Sequence, residues 1–82
     1  AVDHSILFPR VMVEDGAVVE HSILFEGVSV GAGARLHRCI IDKDVEVPAG
    51  AQVGMDAESD RRRFDMSPDG VVVIPKGYRF DA

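Results

Sequence analysis

The 82 residues predict an all-β fold: a parallel β-helix of hexapeptide-type coils on a seventeen-residue repeat, capped by a short C-terminal helix and strand. Three observations carry this prediction. Val2–Val18 laid over Val19–Arg35 is identical at ten of seventeen positions, Leu36–Gln52 keeps the pattern more loosely, and Val53-Gly54 opens a fourth copy before the repeat ends. Large aliphatic residues recur at a spacing of five, six and six: Val2, Leu7, Val13; Val19, Leu24, Val30; Leu36, Ile41, Val47. Glycine recurs once per copy, at Gly16, Gly33 and Gly50.

Each coil follows from these spacings. Two positions before the large residues sit small or β-branched ones: Ser5, Val11, Ala17; Ser22, Val28, Ala34; Cys39, Val45, Ala51. Residues two apart on an extended segment point to the same side, so each segment offers one small and one large residue to the interior. Three such segments, each too short for a helix, make a triangular coil. A helix fails on period, because apolar residues at i and i+2 with resets every five or six leave no 3.6-residue stripe. The glycine ladder marks a corner that needs close approach or φ > 0.

The coils span residues 1–54, and 55–82 form the capping part of the same domain. Asp56 is the expected N-cap of a helix running to Phe64, with acids in its first turn and arginines in its last, as the helix dipole prefers. Ser67-Pro68-Asp69-Gly70 is a turn, and Val71–Ile74 is an apolar strand ended by Pro75-Lys76-Gly77. Helix and strand together are expected to shield the unpaired backbone at the open end of the stack.

Composition narrows the function. A net charge of −5 argues against nucleic acid as a partner, and no apolar run is long enough for a membrane span or signal peptide. Cys39 occupies a core position, so an inert thiol in a reducing compartment is expected. A chain opening at Ala1 on a full repeat, without initiator Met, suggests a piece of a longer protein.

Four constellations remain. Gly31-Ala32-Gly33-Ala34-Arg35-Leu36 resembles a phosphate loop, but the corner ladder and core positions account for it, and no helix follows. His4 and His21 are in register with Arg38 next, while His37 shares a ladder with Asp3 and Glu20; without a clear third ligand no metal site is assigned. Ile6, Ile23 and Ile40, with Phe8 and Phe25, alternate out of phase with the core and project from one face. Either Val71–Ile74 covers that face or another domain or subunit docks on it, and docking is the reading adopted. Lys43 lies at a corner between Asp42 and Asp44, and Lys76 just past the tail strand; Arg61, Arg62, Arg63 and Arg79 also belong to the tail. Converging cations of this kind are the charge-assisted donors that a phosphate-bearing ligand requires.

Leu36-His37-Arg38-Cys39-Ile40-Ile41-Asp42-Lys43, the preceding Ser22-Ile23-Leu24-Phe25, and the tail Asp60…Arg62-Arg63-Phe64…Ser67…Gly70-Val71-Val72-Val73 resemble the C-terminal domain of the glucose-1-phosphate adenylyltransferase (ADP-glucose pyrophosphorylase) family. The resemblance implies left-handed coils, against the usual right-handed crossover. It implies a cytoplasmic parent enzyme making ADP-glucose and pyrophosphate from ATP and glucose 1-phosphate for glycogen synthesis, with Mg²⁺ and ATP held by an N-terminal catalytic domain. This part would carry no catalytic residue or cofactor. It would help assemble a homotetramer and bind a phosphorylated-sugar effector, Lys43 and Lys76 matching basic effector-binding positions. After Pro75 the tail departs from better-known bacterial members, with Phe80 where some carry Arg. The competing expectations are a β-helix acyltransferase, a γ-type carbonic anhydrase module, or the same domain of another sugar nucleotidyltransferase. The first two need a catalytic His or a three-His zinc set.

Overall fold

Twelve short strands and one helix make up residues 1–80, the part of the chain that the computed structural model describes. The first coil holds β1 (Val2–Asp3), β2 (Ile6–Leu7) and β3 (Met12–Val13), and the second β4 (Val18–Glu20), β5 (Ile23–Leu24) and β6 (Ser29–Val30). The third holds β7 (Arg35–His37), β8 (Cys39–Ile41) and β9 (Glu46–Val47). Then come β10 (Gln52–Val53), α1 (Ala57–Arg63), β11 (Asp65–Met66) and β12 (Val72–Ile74).

The strands stack in parallel into three faces with a register of seventeen: Val2 over Val19 over Leu36 over Val53, Leu7 over Leu24 over Ile41, and Val13 over Val30 over Val47. The residues predicted to face inward form the core, with Val19, Leu24, Val28, Val30, Leu36, Ile41 and Val45 all essentially inaccessible. In the first coil Val2 and Leu7 stay 46% and 39% exposed, because no coil among the described residues lies above them.

Every corner turns through positive φ. Gly16, Gly33 and Gly50 do so at 75°, 71° and 74°, as their ladder predicts. The other two corners use side-chain-bearing residues, His4, His21 and Arg38 (48–50°) in one, Arg10 and Asp44 (62° and 59°) with Gly27 in the other. Histidine and aspartate are among the residues that tolerate this region, whereas arginine gives no such hint.

The repeat does not stop at Gly54; it is interrupted and resumes. Leu36 to Ile41 is a five-residue step, whereas the equivalent step below it, Val53 to Ile74, takes twenty-one. Within that excursion lie α1 and β11, after which β12 pairs in parallel with β8, Val72 beside Cys39, Val73 beside Ile40 and Ile74 beside Ile41. Arg79 then bridges Glu46 in parallel fashion. The same register sets Tyr78 below Val45 and Phe80 below Val47, so two aromatic residues take the inward positions of the last coil side. Phe64, 7% exposed at the helix end, meets both rings at centroid distances of 5.4 and 5.7 Å and closes the stack.

The expected cap is therefore also a fourth coil. Its strand does not cover the outer face of β2, β5 and β8; it lengthens it, with antiparallel β11 on its far edge.

A seven-residue helix is too short to persist alone, so its anchors decide its position. Asp56 accepts from the backbone N–H of Glu58 and Ser59, as expected of the N-cap. Buried Asp60 accepts from Gly54 N at 2.9 Å, and Arg63 donates to the Gln52 carbonyl at 2.8 Å. Both bonds fasten α1 to the point where the chain leaves the stack. At the return, Arg38 donates to the Asp69 carbonyl at 2.8 Å, and Ser67 Oγ accepts from Val71 N.

Candidate functional site

The corner between the second and third faces is a two-residue turn, filled in successive coils by Pro9-Arg10, Glu26-Gly27, Lys43-Asp44 and Lys76-Gly77. Lys43 and Lys76 thus become neighbours in one ladder, linked by a Gly77 N–H to Lys43 carbonyl hydrogen bond of 3.2 Å. Their backbones are one coil apart, roughly 4.8 Å. Asp42 Oδ1 accepts from Lys43 N at 2.7 Å, which fixes the turn that presents Lys43. One coil above, Glu26 is neutralised by Arg10, which donates two bonds of 2.7 and 3.1 Å. Lys43 and Lys76 are exposed and make no ion pair among the described residues, so both side chains start from one corner of the stack where an anion has access.

The sequence singled out each lysine but not their shared corner. The signal is present when Ile40-Ile41-Asp42-Lys43-Asp44 is laid over Val73-Ile74-Pro75-Lys76-Gly77. It is hidden because the offset is thirty-three residues and breaks the period of seventeen. The tail arginines do not join the pair: Arg62 meets Glu58 at 2.8 Å, Arg63 serves Asp60 and Gln52, and Arg79 lies on the third face beside Glu46. There an open trough of about 760 Å³ is lined by Glu14, Ser29, Asp44, Glu46, Arg79 and Phe80, a more acidic surface than the lysine corner.

The outward ladder of the second face is Ile6, Ile23, Ile40 and, as its fourth member, Val73. Ile6 is 58% exposed and Val73 37%, with Ile23 and Ile40 half-buried between them. Beside it Phe8 and Phe25 stack with centroids 4.8 Å apart and planes 9° from parallel.

His4 and His21 also stack, at 5.0 Å, and His37 meets His21 edge-on at 5.9 Å. His4 Nδ1 pairs with Asp3 at 2.7 Å, and His37 faces Glu20 at 3.6 Å. No three His, Cys, Asp or Glu side chains among the described residues converge as a metal-binding set, which is what a carbonic anhydrase reading needs. Cys39 is buried below Ser22, with Sγ 3.4 Å from Ser22 Oγ, and burial pushes its thiol up to about 11.

The model of the GlmU-like, C-terminal hexapeptide family matches residues 1–74. The chain belongs to this family. Its parallel coils are accordingly those of a left-handed β-helix. This hexapeptide domain is 65% identical over 81 residues to a glucose-1-phosphate adenylyltransferase of Anaeromyxobacter dehalogenans, covering 99% of the chain and 20% of that protein. It is 59% identical over 80 residues to the protein of the same name from Thermus thermophilus, covering 96% and 19%, and 65% identical over 77 residues to that of Mycobacteroides abscessus, covering 94% and 19%. The hexapeptide domain thus spans about a fifth of the length of the curated relatives it matches.

Proposed function

We propose that this hexapeptide domain is the non-catalytic regulatory and oligomerisation part of a cytoplasmic glucose-1-phosphate adenylyltransferase. The parent would convert ATP and glucose 1-phosphate to ADP-glucose and pyrophosphate for glycogen synthesis, with ATP and Mg²⁺ held by its catalytic domain. The observation that carries the regulatory half is the stacking of Lys43 on Lys76 at one corner, with no carboxylate partner to either among the described residues. Two lysines whose backbones lie one coil apart suit a phosphate of a phosphorylated sugar, as charge-assisted donors. The sequence identity to adenylyltransferases supplies the parent. The apolar ladder Ile6, Ile23, Ile40 and Val73, with Phe8 and Phe25, is the surface this reading assigns to the rest of a homotetramer, catalytic domains included.

The effector would act by binding one arrangement of the two domains better than another. In the full-length enzyme, Lys43→Ala or Lys76→Ala should raise the sugar-phosphate concentration needed for half-activation about ten-fold and leave unactivated turnover unchanged. An unaltered activator response in both variants rejects the reading.

A further inference from the structure

Lys43 belongs to the third coil, but Lys76 belongs to a segment that leaves the stack at Gly54 and rejoins it at Val72. The lysine pair exists only while that returning segment is docked. We infer that residues 54–80 act as a latch whose docking and the binding of an anion at Lys43 and Lys76 are one linked equilibrium; this rests on the anion-binding reading of the corner.

Three features support the linkage. Docking itself brings two exposed lysines into one ladder, neither of them in an ion pair among the described residues, and a bound dianion would attract both. Several fastenings of the segment lie away from the lysines, namely Asp60 on Gly54 N, Arg63 on the Gln52 carbonyl, Arg38 on the Asp69 carbonyl, and Phe64 on Tyr78 and Phe80, while β12 pairs with β8 up to Ile74 beside Ile41. At the lysine corner itself two backbone hydrogen bonds link the coils, Asp42 N to the Ile74 carbonyl at 2.9 Å and Gly77 N to the Lys43 carbonyl at 3.2 Å, with Pro75 contributing no N–H. An anion bridging the two side chains would add a link between the third coil and the segment beyond these backbone bonds. Conversely, whatever loosens the distant fastenings lowers the anion affinity without touching the anion.

Hydrogen–deuterium exchange on the full-length protein, with inorganic phosphate as the probe, tests this. At ten times its Kd, phosphate should slow exchange of the amides in residues 72–80 about ten-fold where they exchange by undocking, and leave the second coil unchanged. Lys43→Ala should abolish that protection. In the double variant Arg38→Ala with Phe64→Leu, exchange of 72–80 should quicken, and the phosphate Kd should rise as the inverse of the docked fraction, about five-fold at one-fifth docked. Phosphate that binds through Lys43 and Lys76 yet neither slows 72–80 nor binds more weakly in a visibly undocked double variant overturns the latch and spares the lysine site. Binding that survives both Lys43→Ala and Lys76→Ala overturns the lysine site and the latch with it.

Discussion

Cys39 continues a ladder begun by Ser5 and Ser22, where each hydroxyl accepts the next coil's backbone N–H at 3.1 and 3.2 Å. Burial, more than any neighbour, pushes its thiol from 9.0 to about 11. Below pH 9 the thiol is protonated whether the chain is folded or not. From pH 9 to about 11 only the unfolded thiol ionises, so the stability held at lower pH is progressively lost, by about 2–3 kcal/mol. Denaturant midpoints between pH 8 and 11 should fall more steeply for the native protein than for Cys39→Ala. The glycines divide in the same quantitative way. Gly33 has φ of 71° and open space around it, so Gly33→Ala should cost only the backbone strain, about 1–2 kcal/mol. A methyl at Gly54, φ 83°, would also strike the His37 carbonyl oxygen, so Gly54→Ala should cost about 3 kcal/mol or more by the same midpoints. The glycine corner was legible because only one residue type fits it cheaply. The corners at Arg10 and Arg38 were not, because arginine at positive φ is tolerated only through neighbours, Glu26 for one and the Asp69 carbonyl for the other.

At the scale of elements, the coils were legible to the residue and the tail only to its parts. Asp56 as cap, the helix expected to Phe64 and the strand expected at Val71–Ile74 each carry a local signal, and each is present, the helix ending at Arg63 with Phe64 as its C-cap and the strand starting at Val72. What local signals omit is that β12 re-enters the stack, since an excursion shifts the period and aromatic Tyr78 and Phe80 replace the valines of earlier copies. Nor does any periodicity announce Asp60, whose buried carboxylate holds Gly54 N and faces Arg63 at 3.5 Å. Removing it would leave a half-buried N–H without its acceptor and free the helix from the stack. Asp60→Ala should therefore cost about 2–3 kcal/mol, against about 1 kcal/mol for the exposed cap change Asp56→Ala. Thermal unfolding followed by circular dichroism distinguishes the two.

For the whole molecule, the stack is a prism with unlike ends. Phe64, Tyr78 and Phe80 seal the last coil, whereas Val2 and Leu7 of the first coil stay partly open. Since each coil contacts only its neighbours, energy lost at the sealed end should loosen the fourth coil before the second. The second face of the stack also carries the apolar ladder, and its exposure sets up a discriminating experiment. Ile23 lies mid-ladder, flanked by Ile6 and Ile40, with its side chain half-buried. If the face is covered in the parent assembly, Ile23→Glu buries a carboxylate against an apolar partner, at a cost of several kcal/mol per interface. Light scattering on the full-length protein should then report smaller species, while the circular dichroism spectrum stays native because the core residues Val19, Leu24 and Val28 are untouched. Met12→Glu, on the third face, supplies the control, since Met12 is 66% exposed and its ladder partner is the uncharged Ser29. An assembly state equally indifferent to both changes would leave the ladder a solvent-facing surface and remove the oligomerisation half of the proposed function.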